Sequence, residues 1–289
     1  MSWVIYHAGN GRGNLAKKRE LMLAEAIVSQ DLTTMKRLLN RGVNPNVELV
    51  GQNCEPIIFL AFTKSRFKLP CTKIGEDEIE SYRLTAKLAC LRLLLEYGAN
   101  PNVRDSRGRT PLEIAILWSL PEAVKLLLLQ GADPNLRNCQ GQTPLIKAAI
   151  LGIQDARPME YKLQIMLDLL DSGAEIDART PDGKTALMHA VGHSRLEIVK
   201  LLVSSGASVT IKDFQGNRAR DIISRASTKV QQQYLRRILS QPQIDISRYK
   251  YVEYIPEGDR QLARIIQPDN NREQDREQNF NYLPRRFKS

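Results

Sequence analysis

The side chains able to do chemistry are few and scattered. Three histidines, His7, His189 and His193, are the candidates for proton transfer or metal ligation. His189 and His193 stand four apart, but no H-E-x-x-H pattern and no third ligand accompanies them. The four cysteines, Cys54, Cys71, Cys90 and Cys139, form no C-x-x-C pair, so reduced thiols are expected rather than a zinc site or a disulfide framework. Gly9, Gly11 and Gly13 beside Arg12 imitate a phosphate-cradling loop. Such a loop needs a strand before it and a helix after it in a β-α-β unit, and that context is missing. The serines have no recognisable nucleophile setting, and the carboxylates fall at helix starts and exposed faces. The residues therefore predict a non-enzyme with no cofactor and no metal.

Spacing is more informative than chemistry. A Gly followed by a small or branched residue recurs at Gly42, Gly98, Gly131, Gly173 and Gly206, with steps of 56, 33, 42 and 33. A Thr-Pro-Leu-like tripeptide recurs at Thr110, Thr143 and Thr185, with a weaker Glu55-Pro56-Ile57. One 33-residue period with two insertions accounts for all of these positions. Each unit has a physical logic. Asp105-Ser106-Arg107-Gly108 makes a tight turn, and Thr110-Pro111 caps and opens a helix with Leu112, Ile114 and Ala115 on its apolar side. A second helix is predicted from Glu122 to Gln130, with Val124, Leu127 and Leu128 at helical spacing and Gly131 ending it. No such unit buries its apolar face alone, so stacking has to supply the core.

These residues resemble the ankyrin repeat, most clearly in DSRGRTPLEIAILWSLPEAVKLLLLQGADPN (105–135) and DGKTALMHAVGHSRLEIVKLLVSSGASV (182–209). The resemblance implies an all-α ankyrin-repeat solenoid of about six helix-turn-helix units, two with insertions, between flexible N- and C-terminal extensions. The expected divisions are an arm over 1–18, the repeat domain over 19–241 with insertions at about 65–83 and 154–161, and a largely flexible tail over 242–289. The first unit lacks the Thr-Pro start, and the last puts Arg220 where a buried Leu is expected. Both departures suit terminal units with one face in water.

The resemblance also implies a function: a protein-protein interaction scaffold, adaptor or regulator, monomeric and cytoplasmic, binding a partner through a concave side made of hairpin tips and first helices. Carried over position by position, the tips offer Arg107 and Arg109, Gln140 and Gln142, and Asp182 and Lys184. The ends of the first helices offer Leu117 and Trp118, Ile150 and Leu151, and His193. The apolar members of this set suggest a hot spot centred on Trp118, unless the insertion after Leu151 covers it.

Composition bounds the alternatives. Hydrophobic residues make up 42% of the 289, enough for a core, and no apolar run approaches the roughly 20 residues that cross a bilayer. The N-terminal apolar stretch is too short for a secretory signal, and its positive charge follows it. The net charge of +10 is densest from Lys212 to Arg237, where seven basic residues face only Asp213 and Asp221. That cap offers a second reading, weak contact with nucleic acid or an anionic membrane; a host-directed effector is a third.

Overall fold

The helices come in pairs. In chain order α1 (Gly13–Ser29) pairs with α2 (Leu32–Asn40), a 3-10 turn (Ile57–Phe62) with α3 (Glu76–Glu96), and α4 (Pro111–Leu117) with α5 (Pro121–Leu129). Then follow α6 (Pro144–Ile150) with α7 (Met159–Asp171), α8 (Ala186–Gly192) with α9 (Leu196–Ser204), and a second 3-10 turn (Ala219–Ile222) with α10 (Lys229–Ser240). This computed structural model describes residues 13–49, 55–62, 76–151, 158–223, 229–240, 251–255 and 262–266. His7, the glycine-arginine loop before residue 13, Cys54, Cys71, residues 65–75 and 154–157 of the two insertions and the greater part of the tail lie outside the described residues.

The third unit shows why these residues pair. The Thr110 hydroxyl accepts the Glu113 N–H at 3.1 Å, and Pro111 takes the first helical position, where its missing N–H is not needed. Leu112, Ile114, Ala115 and Ile116 bury against the neighbouring units. The chain reverses through Trp118–Leu120 and enters α5, whose Val124 and Leu127 are fully buried. Gly131, at φ +84°, then ends α5, with the Ala132 N–H donating to the Leu127 carbonyl at 2.9 Å; a left-handed backbone there favours glycine. Thr143 and Thr185 cap α6 and α8 in the same way.

First helices stack on first helices: α1, the first 3-10 turn, α4, α6, α8 and the second 3-10 turn follow one another in contact. Second helices form the other layer, running α2, α3, α5, α7, α9, α10. One continuous hydrophobic core runs between the layers, from Leu23 to Leu239. This is an all-α repeat solenoid, as the resemblance implied.

Neighbouring units are also stitched by side chains that the sequence reading passed over. The Asn102 amide donates to the Gly131 carbonyl at 3.0 Å and its oxygen accepts the Asp133 N–H at 2.8 Å. Asn46 makes the same two bonds to Gly98 and Asn100, and Asn135 makes them to Gly173 and Glu175. Asp177 continues the row by accepting the Ser208 N–H. Each asparagine thus satisfies a helix-end carbonyl and an N–H of the next unit. Asn102→Ala should lower the unfolding free energy by about 1–2 kcal/mol, two bonds at about 1 each, as read from urea denaturation.

The end units depart from regularity for local reasons. In the second unit no Thr caps the first helix; Glu55–Pro56 pairs as a short strand (β2) with Glu48–Leu49 (β1). The six residues Ile57–Phe62 that follow are all buried. In the sixth unit Arg218 stands where Thr does elsewhere, and the Asp221 carboxylate accepts its N–H instead. Arg220 is exposed, in keeping with a face turned to water. Two elements are longer than the period suggests: α1 begins at Gly13, within the expected arm, and α3 begins at Glu76, within the expected long insertion. In the tail, Tyr251–Ile255 (β3) pairs antiparallel with Leu262–Ile266 (β4), an element the sequence reading did not anticipate. Among the described residues no helix is long and apolar enough to cross a membrane.

Candidate functional site

Each finger between units is built around one side chain at its base. The Asp105 carboxylate accepts the N–H groups of Arg107 and Arg109 at 2.9 and 2.8 Å. It also holds the Arg109 guanidinium, with N···O distances of 2.6 and 2.8 Å. Asn138 does the same for the N–H groups of Gln140 and Gln142, both at 3.0 Å. Thr180 serves the next finger: its hydroxyl accepts the Lys184 N–H at 3.1 Å and bonds the Asp182 carboxylate. That bond, followed by the Lys184 ammonium 3.0 Å away, holds the Asp182 carboxyl down to about 2. Of the six tip candidates, Arg107, Gln140 and Asp182 are exposed, whereas Arg109, Gln142 and Lys184 are half-buried against their own fingers.

The remaining candidates lie at the other end of the first helices, separated from the tips by the length of a seven-residue helix, about 10 Å at 1.5 Å per residue. Trp118 ends α4 and is 41% exposed. Its ring meets the Phe62 ring edge-on, with centroids 6.1 Å apart, and the Lys87 ammonium sits 5.5 Å above it. Leu117, Ile150 and Leu151 are half-buried, and the last two pack on the core. His193 is exposed at the end of α8. The structure therefore arranges the candidates as two rows, with Trp118 the one exposed apolar side chain among them.

His189 lies one turn before His193, with Nε2 buried and without a hydrogen-bond partner among the described residues. Burial pushes its pKa below the ordinary 6.5; the Asp182 charge opposes this, while Lys184 and His193 add to it. A folded-state pKa below the unfolded one means the unfolded chain binds the proton more readily. Stability is then full above about pH 6.5 and falls as pH drops toward the folded value. His189→Asn should flatten that fall, measured as the difference in Tm between pH 7.5 and pH 5 for the two proteins. Burial also pushes the Cys90 thiol up to about 11, which leaves it protonated and unreactive at neutral pH. Among the described residues no three His, Cys, Asp or Glu side chains gather as a metal would require.

Two further features of this surface escaped the sequence reading. Phe214, at the tip of the last finger, is 72% exposed and lies under the Arg179 guanidinium at 5.1 Å. Its ring and backbone also press on Gly183 of the preceding finger. Beside the tips runs a file of arginines. Arg104 donates to the carbonyls of Gly108 and Arg137, at 2.7 and 2.6 Å. Arg137 donates to those of Gly141 and Arg179, at 2.8 and 2.6 Å, and Arg179 to those of Gly183 and Lys212. The signal was present in the numbering, since these bonds span 33, 42 and 33 residues, matching steps of the glycine period.

Comparison with known proteins agrees with this geometry. A family model of ankyrin repeats, in three copies, matches residues 84–138 and 119–213. The B-cell lymphoma 3 protein homolog of Mus musculus is 34% identical over 130 residues, 45% of this chain and 28% of that protein. This chain thus matches well under a third of that relative's length. The crystal structure of EF0377, an ankyrin repeat protein, superposes with a TM-score of 0.56 over 76% of this chain and 96% of that one, at 24% identity. That likeness is one of fold.

Proposed function

We propose that this chain, whose residues 84–213 match a family model of ankyrin repeats, works as a non-enzymatic adaptor or regulator that binds a protein partner. The binding side is the concave one, composed of the finger tips (Arg107, Arg109, Gln140, Gln142, Asp182, Lys184) and the first-helix ends (Leu117, Trp118, Ile150, Leu151, His193). The observation that carries this reading is Trp118, an indole left 41% exposed at the end of α4. A large amphipathic ring held by Phe62 and Lys87 has little rotamer freedom left to lose on binding, which favours it as an anchor. Half-buried Leu117, Ile150 and Leu151 provide the apolar border that excludes water around such an anchor. The tips add polar groups already oriented by their own fingers, which lowers the ordering cost of an interface. The chain acts as a monomer in the cytoplasm, with the repeat domain over 19–241 as its binding unit.

Affinity capture with the full chain as bait tests this. Trp118→Ala should weaken capture of the partner by about 2 kcal/mol or more, roughly thirtyfold in Kd, with little change in Tm. A partner retained undiminished by the variant contradicts the reading, as does a capture that disappears on nuclease treatment.

A further inference from the structure

From the file of arginines beside the finger tips, we infer that the array carries a docking rail for an acidic, extended protein segment with carboxylates at every third residue. The inference rests on the reading of the array as a protein-binding surface, but on residues outside the Trp118 row. Arg104, Arg137 and Arg179 are exposed, and each is fixed by two backbone carbonyls, one in its own finger and one in the next. Two of the five guanidinium N–H groups are used in this way, leaving three on each arginine for a ligand. Among the described residues none of the three pairs with a carboxylate, although Arg109, Lys147, Lys184 and Arg220 elsewhere in the array do. The file closes on exposed Lys212, whose carbonyl accepts the last arginine.

Orientation is the point of this arrangement. A guanidinium anchored in advance loses little side-chain entropy when it takes a carboxylate in its planar fork. Desolvating the unpaired charge is also offset once the carboxylate arrives. Stacked helices lie about 8–10 Å apart, so successive arginines recur at that interval. An extended chain in the polyproline II conformation rises about 3.1 Å per residue with three residues per turn, so every third side chain returns to one face after about the same distance. A nucleic-acid strand fits less well, because it carries a phosphate at every nucleotide. The neighbouring asparagine row also presents the exposed carboxylates of Asp133 and Glu175, which repel a continuous polyanion and tolerate spaced carboxylates.

The test is fluorescence anisotropy of the full chain with three labelled probes. They are a short peptide with Glu at every third position among Ser and Thr, a peptide of the same composition with its glutamates contiguous, and an oligothymidylate of similar length. The spaced peptide should bind about tenfold tighter than the contiguous one, and Arg137→Gln should weaken it by a similar factor. Arg137→Lys, which keeps the charge without the anchored fork, should fall between. Equal binding of the two peptides, tighter binding of the oligothymidylate, no measurable binding of any probe, or undiminished binding by Arg137→Gln overturns the rail. If Arg137→Gln fails to fold, the two peptides on the unaltered protein decide. Trp118→Ala should leave the spaced peptide's affinity unchanged, so failure of the rail and failure of the Trp118 surface are read separately.

Discussion

Gly183→Ala should destabilise the array by about 2–5 kcal/mol, more than the same change at Gly216. Both glycines have a left-handed backbone, at φ +83° and +84°, and for alanine that conformation costs about 1–2 kcal/mol. The difference lies in what surrounds them. A Cβ on Gly183 would meet the Phe214 backbone nitrogen at 2.8 Å and its ring at 3.0 Å, whereas one on Gly216 meets nothing within 4 Å. Backbone cannot rotate aside as a side chain can, so the last finger has to lift, breaking the bond from the Phe214 N–H to the Asp182 carbonyl and the contact of Phe214 with Arg179. Overpacking of this kind adds about 1–3 kcal/mol. Urea denaturation of the two variants side by side checks it. Equal losses would mean that the fifth and sixth fingers do not press together.

Leu127→Ala should remove about 3 kcal/mol and change the shape of the transition as well. Leu127 is fully buried in α5, where deletion of a leucine side chain costs about 2–5 kcal/mol, depending on how far the cavity collapses. In a compact domain that loss lowers one midpoint. In a stacked array each unit touches only its neighbours, so a weakened third unit uncouples the units on either side. The helices α8 and α9 should keep their hydrogen-exchange protection under conditions where α4 and α5 have lost theirs. Loss of protection in all four helices together would argue against nearest-neighbour stacking.

The regular part of this fold was legible in the sequence because its devices are local. Thr110, Thr143 and Thr185 each cap the helix that begins one residue later, and Gly131 ends α5 within its own unit. A spacing count finds such features without knowing what packs on what. The long-range devices were not legible in the same way. Asn102 and Arg137 read as ordinary polar surface residues until the carbonyls they reach, in the next unit, are placed beside them. The 3-10 geometry of Ile57–Phe62 and the length of α3 depend on burial and on the chain around the insertion, and no period predicts either. For the candidate surface, the finger-tip and helix-end positions follow from the repeat spacing, but the exposure of their side chains does not. Ile150 and Leu151 are half-buried against the core, while Phe214, at the tip of the last finger, stands in water. Side-chain burial is set by the neighbouring unit, which a single repeat does not reveal.

The proposed protein partner lies across the fingers and first-helix ends of the array. Hydrogen–deuterium exchange of the full chain, with and without the captured partner, tests it most directly. New protection is expected at the tips around Arg107, Gln140 and Asp182 and at the helix ends around Trp118 and Leu151, with α5, α7 and α9 unchanged. Protection confined to those second helices, or to α10 and its basic residues, would contradict it.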